Sequence, residues 1–442
     1  MTCSPTLDWL VGQRIGLLGY GRDGRSAARA LLGRAADVDL TVFVEYGEAD
    51  TELPLVTGPF DERLADFDVL IRSPGVPVDH PALVAARAAG TVVVNPASIW
   101  LAERGGDLTV VGVTGSKGKS TTASLLAHLL RAQGREVLLA GNIGVPLLDH
   151  VATEAEIAVV ELSSYQLADL QGQLDFGLFT RLFPEHQDWH GGEAAYVAAK
   201  LRLADLLEGR PLLINASDPR LLAATDHVPG RVLGNRAPGI WRDGHRLMND
   251  RSELCPEGQL PLIGRHNLDN AALALQAAAM LGHEPRALSQ ALASFEALPH
   301  RLEPVATIDG VRYINDSIST SPWATLAALD AIGDAPVVLI AGGQPRPADW
   351  QPVLDWLTGH RLEALLTVPD NGAALAERFR EAAGSRVGHV ETFDGLDEAV
   401  ASARELAVRG GVVLLSPGAP SFSRFRDFEQ RGERFRALVR GQ

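Results

Sequence analysis

One short segment constrains the fold of this chain more than any other: a glycine-rich turn, TGSKGKST at 114–121, lies between a strand-like and a helix-like sequence. The preceding run, LTVVGV, is typical of a buried strand. The following segment places four leucines at helical spacing: Leu125, Leu126, Leu129 and Leu130. A strand, a glycine turn and a helix in this order are typical of a phosphate-binding unit in a parallel sheet. The segment therefore predicts an α/β fold with a nucleoside-triphosphate site.

Each residue type in this turn has a physical use in holding a phosphate chain. Gly115 and Gly118 let the backbone curl so that its N–H groups face the phosphates, Lys119 can reach the β- and γ-phosphates, and the Ser120 hydroxyl can bind Mg²⁺. The pattern is GxxGKS preceded by Thr114, because a valine takes the place of the first glycine of the usual GxxxxGK[ST]. The alternative is an ordinary strand-to-helix turn that contains a lysine.

Strand-like apolar runs alternate with segments of helical spacing along the whole chain, which is typical of parallel sheets joined by crossover helices. At roughly 150 residues per domain, a chain of 442 residues agrees with three domains. We predict a Rossmann-like domain at 1–103, a central P-loop domain at 104–300 and a second Rossmann-like domain at 301–442. The later part of the central domain has short strand-like runs that suggest an antiparallel portion.

Charge and composition limit the partners. The 40 basic and 55 acidic residues give a net charge of −15, which disfavours nucleic acid and anionic membranes as ligands. An anionic ligand must therefore be held by local donors such as backbone N–H groups. No apolar run reaches the roughly 18 residues that span a bilayer, and the N-terminal segment does not resemble a signal peptide. With two cysteines, Cys3 and Cys255, we expect a cytoplasmic protein.

A second glycine pattern, formed by Gly19, Gly21 and Gly24, follows the strand-like run RIGLLGY at 14–20. With Glu45 downstream, it superficially matches the dinucleotide-binding fingerprint. It supports a nucleotide diphosphate at a helix N-terminus. The residues alone leave three interpretations open: a nucleotide other than NAD, NAD itself, or a structural tight turn.

Several residues outside the glycine turns could take part in ATP chemistry. Glu161 ends the strand-like run IAVVEL, and ligands gather at the carboxyl ends of parallel strands, so it could share a magnesium site with the P-loop. His186 and Lys200 are by themselves more typical of a structural histidine and a solvated lysine, since Mg²⁺ prefers oxygen ligands. Arg301 in LPHRLE suits either a γ-phosphate clamp or a boundary salt bridge. Asp316 lies in the strand-like YINDS.

Taken in order, six segments resemble successive signatures of the Mur ligase family, the ATP-dependent amide-bond ligases that build the peptide of bacterial cell-wall precursors. They are TGSKGKST, GNIG at 141–144, ELSSYQL at 161–167, LIGRHNLDNAALAL at 262–275, LPHRLE at 298–303 and INDS at 314–317. ELSSYQL, the DS-x-x-T element at 316–320 and the segment at 416–435 are most similar to glutamate-adding members. The resemblance implies an N-terminal domain that holds UDP, a central ATPase and a C-terminal domain that closes over both.

The resemblance also implies which residues form each site. The uridine-diphosphate substrate would contact Gly19, Tyr20, Gly21, Arg72, Ser73, Pro74 and Gly75. ATP would contact Thr114, Gly115, Ser116, Lys117, Gly118, Lys119, Ser120, Thr121, Asn267, Asn270, Arg301 and Asp316. Magnesium would be held by Ser120, Glu161, His186 and a carbamylated Lys200. The catalytic set would be Lys119, Asn142, His186, Lys200 and Arg301, with Asn142 also near the substrate carboxylate. The amino acid would contact Thr320, Arg346, Ser421, Phe422 and Phe428.

The implied reaction uses ATP and Mg²⁺. The carboxylate of UDP-N-acetylmuramoyl-L-alanine is activated as an acyl phosphate, and the amine of glutamate then displaces phosphate. The resemblance further implies a monomer with no nucleic-acid or membrane partner.

The chain departs from the D-glutamate-adding pattern in the amino-acid pocket. Ile318 stands where DSKAT has a lysine, Arg346 stands where the GGxxK turn has one, and Pro420 changes the SPACAS loop. An aliphatic side chain cannot pair with a carboxylate, whereas arginine can grip one in a bidentate fork. We therefore predict L-glutamate as substrate, which implies a separate epimerase in the pathway. On the other side of the site, Arg181 and Pro184 replace residues of the usual NVTEDH.

Three alternatives stay beside this hypothesis. The same ligase could use D-glutamate. A related folylpolyglutamate-type ligase would share the ATPase but lack the UDP-binding domain. A nucleotide-binding regulator could keep the fold and lose turnover.

Overall fold

The computed structural model describes residues 5–250, 252–255, 260–346, 348–422 and 424–441, so Cys3 lies outside the described residues. The chain divides into two compact units. The first comprises the residues up to 260 together with 268–293, and the second comprises 261–267 and the residues from 294 onward.

The first unit opens with a five-stranded parallel sheet in the order β3-β2-β1-β4-β5. Its strands are β1 (Ile15–Leu18), β2 (Leu40–Val44), β3 (Leu55–Thr57), β4 (Val69–Arg72) and β5 (Val92–Val94). Its helices are α1 (Leu7–Val11), α2 (Arg22–Arg34), α3 (Pro81–Ala88) and α4 (Pro96–Arg104). β1 and β4 are buried along their whole length, because helices cover both faces of such a sheet.

The P-loop belongs to a six-stranded sheet in the order β11-β10-β9-β6-β8-β7, whose strand pairs are all parallel. The strands are β6 (Thr109–Thr114), β7 (Val137–Gly141), β8 (Ile157–Glu161), β9 (Phe176–Phe179), β10 (Leu212–Asn215) and β11 (Arg231–Gly234). The helices are α5 (Lys119–Ala132), α6 (Ser164–Leu167), α7 (Gln187–His190), α8 (Glu193–Leu207) and α9 (Pro219–Ala224). β6 therefore lies between β8 and β9, which brings the carboxyl ends of three strands to one edge.

A small antiparallel sheet follows, as the short strand-like runs predict. It consists of β12 (Ile240–Asp243), β13 (Arg246–Asn249) and β14 (Ser252–Cys255). Two helices come next: α10 (Arg265–Met280), whose residues from 268 belong to the first unit, and α11 (Pro285–Ala291). Cys255 on β14 is buried.

The second unit contains a six-stranded sheet in the order β15-β16-β20-β17-β18-β19, parallel except for the edge strand β15. The strands are β15 (Glu303–Ile308), β16 (Val311–Asn315), β17 (Val337–Gly342), β18 (Leu362–Val368), β19 (Val387–Thr392) and β20 (Val412–Leu415). The helices are α12 (Pro322–Ile332), α13 (Gln351–Trp356), α14 (Gly372–Ala383), α15 (Leu396–Leu406) and α16 (Phe428–Arg440). Apolar clusters cover both faces of this sheet.

The hydrophobic pattern explains why α5 stays in place behind the P-loop. The four leucines at 125, 126, 129 and 130 are all fully buried, and each contributes roughly 1.5–3 kcal/mol through burial. The α/β class with parallel sheets is confirmed. The residue boundaries predicted for the three domains stay a prediction. Among the described residues, no helix is both long and apolar enough to cross a membrane.

Candidate functional site

The P-loop connects β6 to α5 through two glycines with positive φ. Gly118 caps α5 with φ +88°, and Gly115 has φ +151°. A Cβ on Gly118 would lie 2.5 Å from Asn270 Oδ1 on α10, and one on Gly115 would overlap Thr180 Oγ1. Both positions thus require glycine for space as well as for conformation. The N-terminus of the 14-residue α5 opens directly at this turn, which favours an anion.

Two polar side chains of the motif hold the loop from inside the protein. Thr114 Oγ1 donates to Leu162 O at 2.8 Å, and Ser116 Oγ donates to Phe183 O at 2.7 Å. Ser116 Oγ also lies 2.7 Å from the Tyr196 hydroxyl. Thr114, Ser116 and Thr121 are all buried. The loop therefore presents its backbone to a ligand and turns these hydroxyls inward.

The two lysines of the loop differ in their surroundings. Lys119 Nζ donates to Gly115 O at 2.9 Å and to Ser116 O at 3.2 Å, so it folds back over the loop that it terminates. Lys117 forms a 2.9 Å ion pair with Glu185. Ser120 follows Lys119 in the first turn of α5, half-buried at the edge of the turn.

Lys200 is not the solvated lysine that its helical segment alone suggests. It lies on α8 with only 2% exposure, and its Nζ donates to Gly115 O at 2.7 Å. Its Nζ lies 5.0 Å from the centroid of the Tyr196 ring. Burial, reinforced by the charge of nearby Lys119, lowers the pKa of Lys200 well below its usual value. A neutral amine is the form that reacts with CO₂, so this position fits the carbamylation that the family resemblance implies.

Glu161 ends β8, next to β6, as expected for a ligand at the carboxyl edge of the sheet. Asn142 Nδ2 donates to Glu161 Oε1 at 2.8 Å, and Asn142 N donates to Glu161 O at 2.9 Å. Glu161 is 1% exposed, and its Oε2 is buried with no hydrogen-bond partner among the described residues. A buried carboxylate oxygen without a donor fits a magnesium ion. The residues present are therefore compatible with the predicted metal.

His186 precedes α7 with φ +52° and lies 5.0 Å, between ring centroids, from Tyr165. Desolvation by the surrounding protein lowers its pKa, which favours the neutral imidazole, the form that binds metals. His190 nearby has its pKa lowered to about 4 for the same reason. Within the part of the chain that the structure describes, no three His, Cys, Asp or Glu side chains converge as a metal site. A magnesium site here would thus depend on Ser120 and a modified Lys200 as well.

The two loops predicted to hold the UDP end lie side by side in the first sheet. Ser73 Oγ donates to Gly19 O at 2.9 Å, which joins the loop after β4 to the loop after β1. Gly21 caps the 13-residue helix α2, with the half-buried Tyr20 before it. Arg72, in contrast, is fully buried and donates its hydrogen bonds to the protein, so its side chain supports the loop from inside.

The residues of the second unit that are predicted to contact ATP or the amino acid differ in how far their side chains are exposed to solvent. Asp316 is buried, and it accepts hydrogen bonds from Ser319 Oγ, Ser416 Oγ and Leu302 N. Burial raises its pKa to about 6. The remaining residues fall into three groups by exposure. Ser421 is buried, Arg301 and Phe428 are half-buried, and Thr320, Arg346 and Phe422 are exposed.

Arg431 on α16 is a residue that sequence reasoning missed. Its Nε and Nη2 donate to Ser317 Oγ and O at 3.0 and 2.7 Å, and its Nη1 donates to Ala419 O at 3.1 Å. Burial lowers its pKa to about 10. It therefore ties the 316–320 element to the loop that precedes Ser421. Arg431 lies in the segment at 416–435 that resembles glutamate-adding members, but no local pattern shows that its side chain points inward.

A second missed group surrounds Asp269 on α10, which is 2% exposed. Asp269 accepts from Arg181 Nη2 at 2.7 Å, Arg242 Nε at 2.6 Å and Asn235 Nδ2 at 2.9 Å. Arg181, one of the departures noted above, thus connects the end of β9 with α10. Asn270 follows Asp269 and approaches Gly118, whereas Asn267 Nδ2 donates to Ile263 O at 2.8 Å within the second unit.

The central strand of a parallel sheet enters a glycine turn, and a lysine, a buried carboxylate and a buried lysine surround that turn. This arrangement defines a P-loop nucleotide-dependent enzyme of the α/β class. The Mur ligase middle domain matches residues 113–278, and the Mur ligase, glutamate ligase domain matches residues 300–418. The chain belongs to the Mur ligase family, whose members are ATP-dependent amide ligases.

Individual relatives agree with this assignment. The chain is 41% identical to a UDP-N-acetylmuramoyl-L-alanine--L-glutamate ligase of Micromonospora sp., covering 98% of this chain and 97% of the relative. It is 39% identical to a ligase of the same name from Xanthomonas axonopodis pv. citri, covering 97% and 96%. Its fold is similar to that of the MurF ligase of Thermotoga maritima in complex with ADP, with a TM-score of 0.59, 16% identity and coverage of 97% and 95%.

Proposed function

We propose that this chain joins L-glutamate to the alanyl carboxylate of UDP-N-acetylmuramoyl-L-alanine at the expense of ATP, in the synthesis of peptidoglycan precursors. The observation that carries the proposal is the 41% identity, over 98% of the chain, to a ligase of that name. The P-loop geometry and the free oxygen of Glu161 support the ATP-dependent half of the reaction.

The first step activates the carboxylate. A carboxylate oxygen attacks the γ-phosphorus of ATP, the bond to the β-phosphate oxygen breaks, and ADP leaves behind an acyl phosphate. The N–H groups of the P-loop and the Lys119 ammonium hold the phosphates and offset their charge. Asn142, fixed by its two contacts with Glu161, is placed to orient the substrate carboxylate.

Magnesium, when bound, neutralises charge on the transferring phosphoryl group. Ser120, Glu161, His186 and Lys200 would hold it. Lys200 would do so as a carbamate, formed when its neutral amine adds to CO₂ and loses a proton.

The second step makes the amide bond. The α-amine of glutamate attacks the acyl carbon, phosphate leaves, and the ammonium formed loses a proton. We assign Thr320, Arg346, Ser421, Phe422 and Phe428 to the glutamate, and Arg301, Asp316, Asn267 and Asn270 to the nucleotide. Arg346 is exposed and offers a bidentate fork for a carboxylate, whereas Ile318 is half-buried and offers none. This difference in cation placement supports the L-enantiomer.

The test is phosphate release with ATP, Mg²⁺ and UDP-N-acetylmuramoyl-L-alanine, with L- or D-glutamate at equal concentration and the product checked by mass. We expect turnover with L-glutamate and a product heavier by one glutamyl residue. Preference for D-glutamate would refute the enantiomer assignment but leave the assignment as a ligase standing. Absence of turnover with both would refute the ligase.

A further inference from the structure

Arg72 ends β4, immediately before the loop of residues 73–76, hereafter the donor loop. Its side chain has 0% exposure, and each guanidinium nitrogen donates to the protein. Nε and Nη2 donate to the two carboxylate oxygens of Asp169 at 2.7 and 2.6 Å. Nη2 also donates to Tyr165 O at 3.0 Å. This bidentate pair is the geometry in which arginine and carboxylate bind most strongly.

The third nitrogen of Arg72 determines which way the donor loop faces. Nη1 donates to the carbonyl oxygens of Ser73, Pro74 and Val76 at 3.2, 3.2 and 2.5 Å. Trp189 Nε1 donates to the remaining carbonyl, that of Gly75, at 3.1 Å. All four carbonyls of the loop are thus turned toward protein donors, away from a ligand.

The N–H groups of the same loop leave one donor available. Ser73 N donates to Leu18 O at 2.9 Å, Val76 N donates to Ser73 O at 3.0 Å, and Pro74 has no N–H. For the Gly75 N–H, no acceptor occurs among the described residues. Gly75 is exposed, so its N–H adds local positive potential to a loop whose carbonyls are all paired with the protein. Such potential suits the diphosphate of a nucleotide sugar.

Asp169 connects this loop to the segment that follows Glu161. It lies two residues after α6, and it also accepts from Asn95 Nδ2 at 2.7 Å. Asn95 in turn donates to Gln166 O at 3.2 Å. Three donor atoms, two from Arg72 at the end of β4 and one from Asn95 at the start of α4, therefore converge on a single carboxylate that follows α6. Because Arg72 is wholly buried, loss of its partner would leave an unpaired buried cation, which is strongly unfavourable.

We propose that Arg72 and Asp169 form a positioning pair that holds the donor loop in the conformation that binds the nucleotide sugar, and that fixes it relative to Glu161. The pair is assigned to neither the ATP site nor the glutamate site; it acts through the loop. The inference rests on the proposed function for the identity of the ligand. Its structural half, the fixed loop, does not depend on that identity.

The experiment compares Asp169→Asn and Arg72→Lys with a control, Arg29→Ala. Arg29 forms a 2.7 Å ion pair with Asp149 that also joins the first sheet to the P-loop sheet, but it is exposed and makes no contact with the donor loop. The full-length proteins are assayed for KM and kcat with each substrate. In parallel, hydrogen exchange of the peptide containing residues 73–76 is measured without ligand.

For Asp169→Asn we expect KM for UDP-N-acetylmuramoyl-L-alanine to rise about tenfold or more, since one 1.4 kcal/mol contact is worth that factor. KM for ATP and kcat should change by less than about twofold, and Arg29→Ala should match the wild type. Arg72→Lys keeps the positive charge but loses the bidentate fork, so KM for the nucleotide sugar should rise by less than in Asp169→Asn. This variant also provides the test if Asp169→Asn does not fold. Hydrogen exchange of the donor loop should be faster than in the wild type in Asp169→Asn and Arg72→Lys, and unchanged in Arg29→Ala.

Two results would overturn the inference. The first is that KM for the nucleotide sugar rises no more in Asp169→Asn and Arg72→Lys than it does in the control Arg29→Ala. The other is an equal rise in KM for ATP, which would indicate a general loss of structure. If the wild type does not use the nucleotide sugar at all, the proposed function fails instead. Faster exchange confined to the donor loop would then still support the pair, and unchanged exchange would overturn it.

Discussion

The buried carboxyl of Asp316 makes the stability of the second unit depend on pH in a direction that can be calculated. Its pKa is raised from 3.8 to about 6, mainly by burial and against the effect of three hydrogen bonds to its oxygens. The folded protein therefore binds this proton more tightly than the unfolded chain does. The associated stability is complete below the unfolded pKa, and it is lost as the pH rises through the folded pKa.

The magnitude follows from the two pKa values. At about 1.4 kcal/mol per pH unit, the difference between 3.8 and about 6 corresponds to a loss of about 3 kcal/mol at neutral pH. About half of this loss falls between roughly pH 5 and pH 8. Asparagine has nearly the same shape and stays neutral, so Asp316→Asn should remove this dependence. The wild type should lose about 1.5 kcal/mol relative to the variant over that interval.

The assay is urea unfolding at about pH 5 and about pH 8, followed by pulsed hydrogen exchange of peptides from β16 and β17. A second variant, Ser416→Ala, removes a 2.8 Å hydrogen bond that lowers the pKa of Asp316. It should move the loss of stability to higher pH. The reasoning is refuted if the wild type and Asp316→Asn differ by the same free energy of unfolding at both pH values.

Three further predictions concern the chemistry. Lys119→Ala should lower ATP-dependent phosphate release about 100-fold or more, because one positioned donor to the transition state is lost; near-normal release would contradict the P-loop assignment. Lys200→Ala should be nearly inactive and partly restored by short carboxylic acids, which can replace the carbamate oxygens, and activity without any such addition would argue against the carbamate. Ile318→Lys combined with Arg346→Lys should shift the L- to D-glutamate ratio of kcat/KM toward D-glutamate, and an unchanged ratio would show that these positions do not set the enantiomer.

The sequence predicted the elements that carry strong local patterns. β1, β6 and β8 lie where the runs RIGLLGY, LTVVGV and IAVVEL indicate, and α5 lies where the four spaced leucines indicate. β19 was not predicted, because VGHVET is an edge strand with polar and half-exposed residues and has no continuous apolar run. β15 was not predicted for the same reason, since its residues are half-buried or exposed.

Side-chain roles were predicted less well than elements, because they depend on contacts between distant residues. Lys200 is buried because α8 packs under the P-loop, 85 residues away in sequence from Gly115. Arg72 was predicted as part of the nucleotide-facing loop, and its side chain pairs with Asp169, which is 97 residues away in sequence. No local pattern shows either contact. The motifs identified where a loop is, whereas the tertiary structure determined which atoms of the loop face the ligand.

The two loops assigned to phosphates share one physical design. In the P-loop, Thr114 and Ser116 turn inward; at the donor loop, Ser73 and the preceding Arg72 do. The polar side chains of each motif donate hydrogen bonds to carbonyl oxygens of the protein. Backbone N–H groups are then left to face a ligand. That arrangement would let a chain of net charge −15 hold two polyanionic ligands. The positive potential is local and fixed by the fold, so removing a buried support such as Asp169 should weaken binding without changing any group that touches the ligand.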